Sequence, residues 1–486
     1  CRFTVVVLVI IFSFFFFFQA KDGIRDAQES RGLGDVYKRQ VNVSLPTMVD
    51  QLKTTFSLVQ WVVLGYLLTV TTLMLTIGRL ADIFGKKKIY QTGMIVFTLG
   101  SICCGTSTTI GWLIAFRVFQ AIGAAMLMAL GNAIVTESYP ENQRGQVLGI
   151  SGLMVSLGVI AGPMLGGLIL DALNWRWIFF VNIPIGLIGL IMVQLFVPDF
   201  RPIHIQKFDL WGSILLFIGL LLFSLSMTIG QNSGFGQIIP WAVLLGGLFL
   251  LGVFLLHEMK TESPLINLGL FRNRLFRINI LTGFMTFIIS SGSILLIPFY
   301  LENVLMYDHR TIGLLMAVIP ITMGITAPIS GTLSDRYGSR LLTTIGLVFL
   351  ILAYLSITTL NENTTQIGYI LRFIPVGIGT GLFQSPNNSA ILGSVPRNSL
   401  GVASGLLSLT RTLGQTTGIS IMGTIWATRV QFYEWSLGNI KAQVRGIQET
   451  ATVMVILFGI ALCFSGWALF LHVREQQRRK VGMTYE

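Results

Sequence analysis

Charge is scarce in this 486-residue sequence. Only 11% of its residues are Asp, Glu, Lys or Arg, where a water-soluble globular chain carries about a quarter, so a soluble fold is excluded. Histidine is scarce too. The four, His204, His257, His309 and His472, fall in loops or at the ends of apolar runs without metal-ligand or nucleophile spacing, which leaves a membrane enzyme without catalytic residues. Of the four cysteines, Cys103, Cys104 and Cys463 lie inside apolar runs and Cys1 opens the chain. That pattern excludes a zinc site and a disulfide framework. No G-x-x-x-x-G-K-S/T phosphate loop occurs, and no polar stretch is large enough for a nucleotide domain or for the output domain of a sensor. An ATP-driven pump is thereby excluded, and no metal or cofactor is expected.

What is present is apolar: 53% of the residues are hydrophobic and the mean hydropathy is +0.75. Runs of roughly 18 to 25 apolar residues recur, each long enough at 1.5 Å per residue to cross a hydrocarbon core of about 30 Å. They predict an all-α polytopic membrane protein. A first-helix remnant at 41–49 is followed by spans near 59–79, 89–108, 111–135, 146–169, 176–197, 209–230 and 239–258. Further spans fall near 277–300, 312–333, 340–358, 366–390, 401–424 and 451–472, fourteen in all with the first incomplete.

The net charge of +12 resides in short loops rather than along a helix face, which argues for membrane topology and against a nucleic-acid partner. Loops from even to odd spans hold Lys86, Lys87, Lys88, Arg144, Arg201, Lys207, Lys260, Arg272, Arg274, Arg277, Arg336, Arg340 and Arg397. The opposite loops hold only Lys53, Arg176, Arg310, Arg429, Lys441 and Arg445. The positive-inside rule places the first set, and both true termini, in the cytoplasm of a cell-membrane protein.

Residues 1–40 read differently. A Phe14–Phe18 run precedes the polar stretch KDGIRDAQESRGLGDVYKRQ, which closely resembles the translated read-through of a sequencing adaptor. Residues 1–40 are therefore read as an artefact ahead of a fragment. The alternative, a signal sequence or genuine first span at 4–18, is short for a crossing.

GRLADIFGKK from Gly78 and GTLSDRYGSR from Gly331 share G-x-L-x-D-x-x-G, 253 residues apart. A lone arginine early in a later span, Arg117 and Arg372, repeats at almost the same offset. Two anchors at nearly one offset imply two homologous halves, the arrangement alternating access requires. The expected organisation is an N-terminal six-helix bundle at 41–200, two inserted helices at 201–262, a C-terminal bundle at 263–475 and a tail at 476–486.

Three motifs carry the chemistry. Gly78, Asp82, Gly85, Lys86 and Lys87 form the first loop signature, and Gly331, Asp335, Gly338 and Arg340 its echo. Asp82 is positioned to cap the third span, whose free amides favour a carboxylate, and Glu137 either pairs with Lys86 or Lys87 or is a solvated loop acid. In the fourth span Arg117, Gln120, Gly123, Ala124 and Ala125 place a cation roughly 9 Å deep by helical rise. Such burial costs about 2.5–3.5 kcal/mol on insertion scales; the arginine either faces the interior or snorkels to headgroups. In the fifth span Gly158, Gly162, Pro163, Gly166 and Gly167 give G-x-x-x-G-P-x-x-G-G, a small-residue face with a proline bend.

On these motifs, with WRWIFFVNIPIG at Trp175–Gly186, the chain resembles the fourteen-span drug–proton antiporter branch of the major facilitator superfamily over residues 41–486. The resemblance departs at Ile83, Ala121 and Ser44. It implies two six-helix bundles with two inserted central helices, and efflux of small amphipathic or cationic compounds in exchange for protons. Export of one specific metabolite and uncoupled facilitation stay open. The resemblance further implies that the fifth-span motif marks an antiporter, that the loop signature acts as a cytoplasmic gate, and that Arg117 with Gln120 serves proton exchange. Asn42 matches the end of a first-helix motif whose membrane aspartate would fall at Tyr37. Arg372, Arg411 and Gln384, with Asn387 and Asn388, are further cavity candidates. Glu302 reads as a secondary proton site or an interfacial acid. A functional monomer in the lipid bilayer is expected, and a periplasmic adaptor or stand-alone operation are equally compatible. A proton moving down about 100 mV yields about 2.3 kcal/mol, enough at about 1.4 kcal/mol per tenfold to hold roughly a fiftyfold gradient of a neutral substrate.

Overall fold

The computed structural model describes residues 52, 54–199, 207–233 and 235–482, with the side chains of 56–57, 163–168, 170–171, 231–233, 309 and 471–482 left out. Every regular element among them is helical. Lipid offers backbone groups no partners, so apolar segments must satisfy their hydrogen bonds internally. Among the described residues, twelve helices are long and apolar enough to cross a membrane.

In chain order these elements are α1 (Phe56–Phe84), α2 (Lys86–Thr106), α3 (Ile110–Ser138), α4 (Arg144–Ala172), the short α5 (Trp177–Phe180), α6 (Asn182–Phe196), α7 (Leu210–Ser233) and α8 (Ile238–Glu258). They continue with α9 (Arg274–Phe299), α10 (His309–Met316), α11 (Val318–Tyr337), α12 (Ser339–Ile357), α13 (Gln366–Gly393), α14 (Leu400–Leu437) and α15 (Asn439–Gly482). Each span expected from residue 59 onward is matched by a helix. The expected remnant at 41–49 and the segment at 1–40 lie outside the described residues.

α14 is not among the twelve. Its 38 residues are long enough, but Arg411, Gln415 and the threonines at 410, 412, 416 and 417 lower its hydropathy. The segment read as the loop before the last span is also helical. α14 runs to Leu437 and α15 starts at Asn439, turning on Gly438 at φ 76°, a left-handed conformation suited to glycine. No proline interrupts 425–450, and Glu449 pairs across that turn with Arg429 at 3.2 Å and within its own helix with Arg445 at 3.4 Å.

Contacts divide the described chain into two compact units. The first gathers the residues up to Pro140, Met154–Leu268 and Pro396–Ser420; the second gathers Glu141–Leu153, Gly269–Val395 and the residues from Ile421. In the first, α3 packs on α1 and α2, α2 on α6, and α7 on α8 and α1. In the second, α13 packs on α11 and α12, and α15 on α12 and α9. Small residues make these approaches possible in a medium where apolar burial alone drives little association. A Cβ on Gly123 would collide with the backbone of Gly93 and Phe97, and one on Gly247 would lie 2.9 Å from Phe223 N. Outward faces stay apolar, as lipid requires: Leu187, Ile188, Ile191 and Leu195 on α6, Leu245 and Phe249 on α8 are exposed.

Candidate functional site

Arg117 does not snorkel. It is 5% exposed, and its Nε donates to the Val62 carbonyl at 3.3 Å while its Nη1 donates to Gln120 Oε1 at 2.9 Å. Gln120, fully buried, donates through Nε2 to Ser101 Oγ at 2.6 Å, and Asn182 Nδ2 donates to the same hydroxyl at 3.3 Å. The guanidinium carbon lies 4.3 Å from the Tyr66 ring centroid and 5.5 Å from that of Phe179. Four helices and the short α5 thus contribute to one polar network set in an apolar shell of Val59, Leu113, Trp175 and Phe179.

The local sequence explains the assembly. Gly100 of α2 sits against the Gln120 backbone, where a Cβ would come within 2.6 Å of Gln120 Cα, so α2 and α3 meet closely enough for Ser101 to reach Gln120. The WRWIFFVNIPIG segment supplies the lid and the far partner. Trp175 is buried against Phe179, Arg176 donates to the Ser107 carbonyl at 3.1 Å, and Asn182 then opens α6 facing Ser101. Among the described residues no carboxylate forms an ion pair with Arg117. The charge is held instead by neutral acceptors and ring faces, each hydrogen bond to a charged group contributing about 1.5–3 kcal/mol and desolvated cation–π contact about 2 kcal/mol.

The loop signature forms a second assembly. Asp82 does not cap α2, as its position suggested: α2 starts directly after Gly85, whose φ of 100° ends α1, and no side chain caps it. Instead Asp82 accepts from Gly401 N and Val402 N, both at 2.9 Å, at the start of α14. Held in the last turn of α1, its carboxylate projects sideways to a different helix. Gly78 allows this, because a Cβ there would collide with the Gly401 carbonyl. Lys86 lies 3.3 Å from Asp82 and 2.9 Å from Glu137, forming a buried three-charge chain, while Lys87 donates to the Gln194 carbonyl at 3.0 Å.

The second unit repeats the cap. Asp335 accepts from Gly145 N at 2.8 Å and Gln146 N at 2.9 Å at the start of α4. Gly331 meets the Gly145 carbonyl where a Cβ would clash, and Gly338 ends α11 at φ 89°.

Other candidates are placed separately. Arg372 is half-exposed near the start of α13, donating to Thr359 Oγ1 at 3.1 Å and to the Gly368 carbonyl at 2.9 Å, so it does not copy the burial of Arg117. Arg411 sits within α14 and Gln384 is half-buried on α13 beside buried Asn387. Glu302 lies in a π-helical turn, Tyr300–Val304, and Arg340 in the first turn of α12. Gly158 and Gly162 are buried on α4; the side chain of Pro163 and the surroundings of Gly166 and Gly167 lie outside the described residues, as do Asn42 and Tyr37. Among the described residues no group of His, Cys, Asp and Glu could hold a metal ion.

Residues 37–419 match the profile of the Major Facilitator Superfamily. The chain belongs to that superfamily. This facilitator is 32% identical over 448 residues to the riboflavin transporter RibZ of Clostridioides difficile strain 630, covering 91% of this chain and 95% of that one. It is 29% identical over 392 residues to the multidrug transporter protein MdtP of Bacillus subtilis strain 168, covering 80% and 72% of the two. The human organic anion transporter MFSD10 (TETRAN) shares its fold with a TM-score of 0.61 at 16% identity, covering 94% of this chain and 99% of that one. The chain is therefore a multi-pass membrane transporter of small molecules with the major facilitator fold, not an enzyme.

Proposed function

We propose that this facilitator exports small amphipathic or cationic compounds in exchange for protons, by alternating access, from the cytoplasmic membrane of a bacterium. The observation that carries the reading is the buried Arg117, held by Gln120, Val62 and aromatic faces. A cation kept in a transporter's interior by neutral partners suits a site whose balancing charge comes and goes. The G-x-x-x-G-P-x-x-G-G pattern of α4 and the similarity to a multidrug transporter support export of drug-like compounds. Fourteen spans follow if α14 and a helix ahead of α1 join the twelve. With the basic loops inside, both termini then face the cytoplasm, and the unit of function is a monomer.

The similarity to RibZ favours a second reading, transport of a single planar metabolite. Reconstitution in liposomes with an imposed pH gradient separates the two. Export predicts that several unrelated cationic dyes accumulate and that each collapses the gradient; Arg117→Ala abolishes both effects at unchanged insertion. Dye movement without proton movement, or full coupling in the Arg117→Ala protein, refutes antiport through this residue.

A further inference from the structure

The inserted helix pair carries a buried acid cluster that the transport reading leaves unused. Asp209, just ahead of α7, accepts from Gly212 N at 2.9 Å and faces His257 Nε2 at 2.9 and 3.2 Å. A carboxylate oxygen only accepts, so toward an Asp209 carboxylate the imidazole Nε2 is the donor. Glu258, the last residue of α8, is 3% exposed. Its Oε2 accepts from Ile266 N at 2.9 Å, but its Oε1 is buried with no hydrogen-bond partner among the described residues.

These two acids converge. A Cβ on Gly212 would lie 2.5 Å from Asp209 Oδ2 and 2.8 Å from Glu258 Oε1, so both oxygens border the gap that the glycine leaves. Two buried carboxylates sharing a site do not both ionise, and an unsatisfied charged oxygen in a dry interior is costly. A proton on Glu258 Oε1 removes both penalties, because the oxygen is then uncharged and the pair of acids carries a single negative charge. We propose that Asp209, His257 and Glu258 form a proton-binding site at the base of the inserted helix pair, in which one proton sits between Glu258 and Asp209 and exchanges with solvent through His257.

His257 suits that part, since its side chain is one-third exposed while the two acids are buried, and Thr261 Oγ1 lies 3.2 Å from the same ring nitrogen. From α1, Arg79 is in electrostatic reach of both Glu258 and Asp82, which sets the site beside the Asp82 cap. The remaining charges close by in sequence, Lys207, Lys260 and Glu262, are exposed. Among the described residues the cluster does not assemble three metal ligands, and the ligand proposed is a proton.

The test reads the proton itself and needs no transported substrate, so it stands or falls apart from the export reading. Infrared spectra of the full chain in lipid nanodiscs, titrated from about pH 5 to about pH 9 across the carboxylate and histidine ranges, should contain the carbonyl stretch of a protonated carboxylic acid. Glu258→Gln should delete that band. Asp209→Asn, which keeps an oxygen for Gly212 N–H but removes the neighbouring negative charge, should make the band vanish at a lower pH. A Glu258→Gln spectrum identical to wild type overturns the proposal; if that variant is not recovered, an unchanged titration in Asp209→Asn overturns it.

Discussion

Removing the Asp82 carboxylate should loosen the first turn of α14 and nothing in α4. In the native protein both oxygens accept from backbone amides, Gly401 N and Val402 N, at 2.9 Å. Each such charge-assisted bond contributes about 1.5–3 kcal/mol, and a negative charge at a helix N-terminus adds about 0.3–1 kcal/mol. Water recovers part of that once the side chain is gone, which leaves roughly 3 kcal/mol for Asp82→Ala. At about 1.4 kcal/mol per tenfold, the two amides should exchange with deuterium roughly a hundredfold faster. Asp82→Asn keeps one acceptor oxygen without its charge and should fall about halfway, near tenfold. Mass spectrometry of peptides spanning 398–406 and 143–150 reads both caps in one experiment. Asp335→Ala supplies the converse, with faster exchange at Gly145 and Gln146 only. Unchanged exchange at 401 and 402 in Asp82→Ala, or equal loosening of both peptides in either variant, refutes local capping as the role of these aspartates.

Two further predictions concern packing and charge around the same sites. Gly100→Ala places a methyl within 2.6 Å of Gln120 Cα; overpacking of this kind costs about 1–3 kcal/mol, so the melting temperature of the purified protein should fall, and an unaltered one would show that α2 and α3 separate freely. Lys86→Met strands Asp82 and Glu137 as buried anions, a loss of about 3–5 kcal/mol where one partner of a buried pair is removed. The added change Glu137→Gln should restore part of it, and strictly additive losses would dissolve the three-charge chain.

The spans and the inserted pair were legible because lipid imposes helix length on composition, so long apolar runs predict their own structure. The loop signatures were legible as repeats, whereas the pairing of Glu137 with Lys86 was only one of the readings the sequence left open, beside Lys87 and a solvated acid. The target of Asp82 was not. Its natural reading is the next helix along the chain, whereas its partners at 401 and 402 lie more than three hundred residues away, and nothing local distinguishes the two helix starts. Ser101 and Asn182 escaped for a similar reason: each is an ordinary small polar residue until packing brings it to Gln120. The near-continuous helices at 425–450 were hidden by charge. Arg429, Lys441 and Arg445 suggested a loop, although the segment lacks any proline and Gly438 alone supplies the turn. Asp209, His257 and Glu258 were equally hidden, since no spacing in the sequence brings the residue before one helix beside the last turn of the next.

Comparison of the two repeats separates what they share from what one of them has alone. Both aspartates cap a helix through two backbone amides, both lead glycines admit a crossing backbone, and both end glycines adopt positive φ at 100° and 89°. These are geometric demands, met by any carboxylate and any glycine, and they persist wherever one helix end must seat another. The charges do not persist. Position 339 is Ser where Lys86 stands in the first repeat, 392 is Leu where Glu137 stands, and Arg372 bonds Thr359 near the end of its helix while its counterpart Arg117 is buried. A buried cation is expensive in lipid, so one retained in a single repeat is held for something the shared architecture does not require. On that ground the buried cation is a feature of α1, α2, α3 and α6 in the first unit alone, and the caps are common to both.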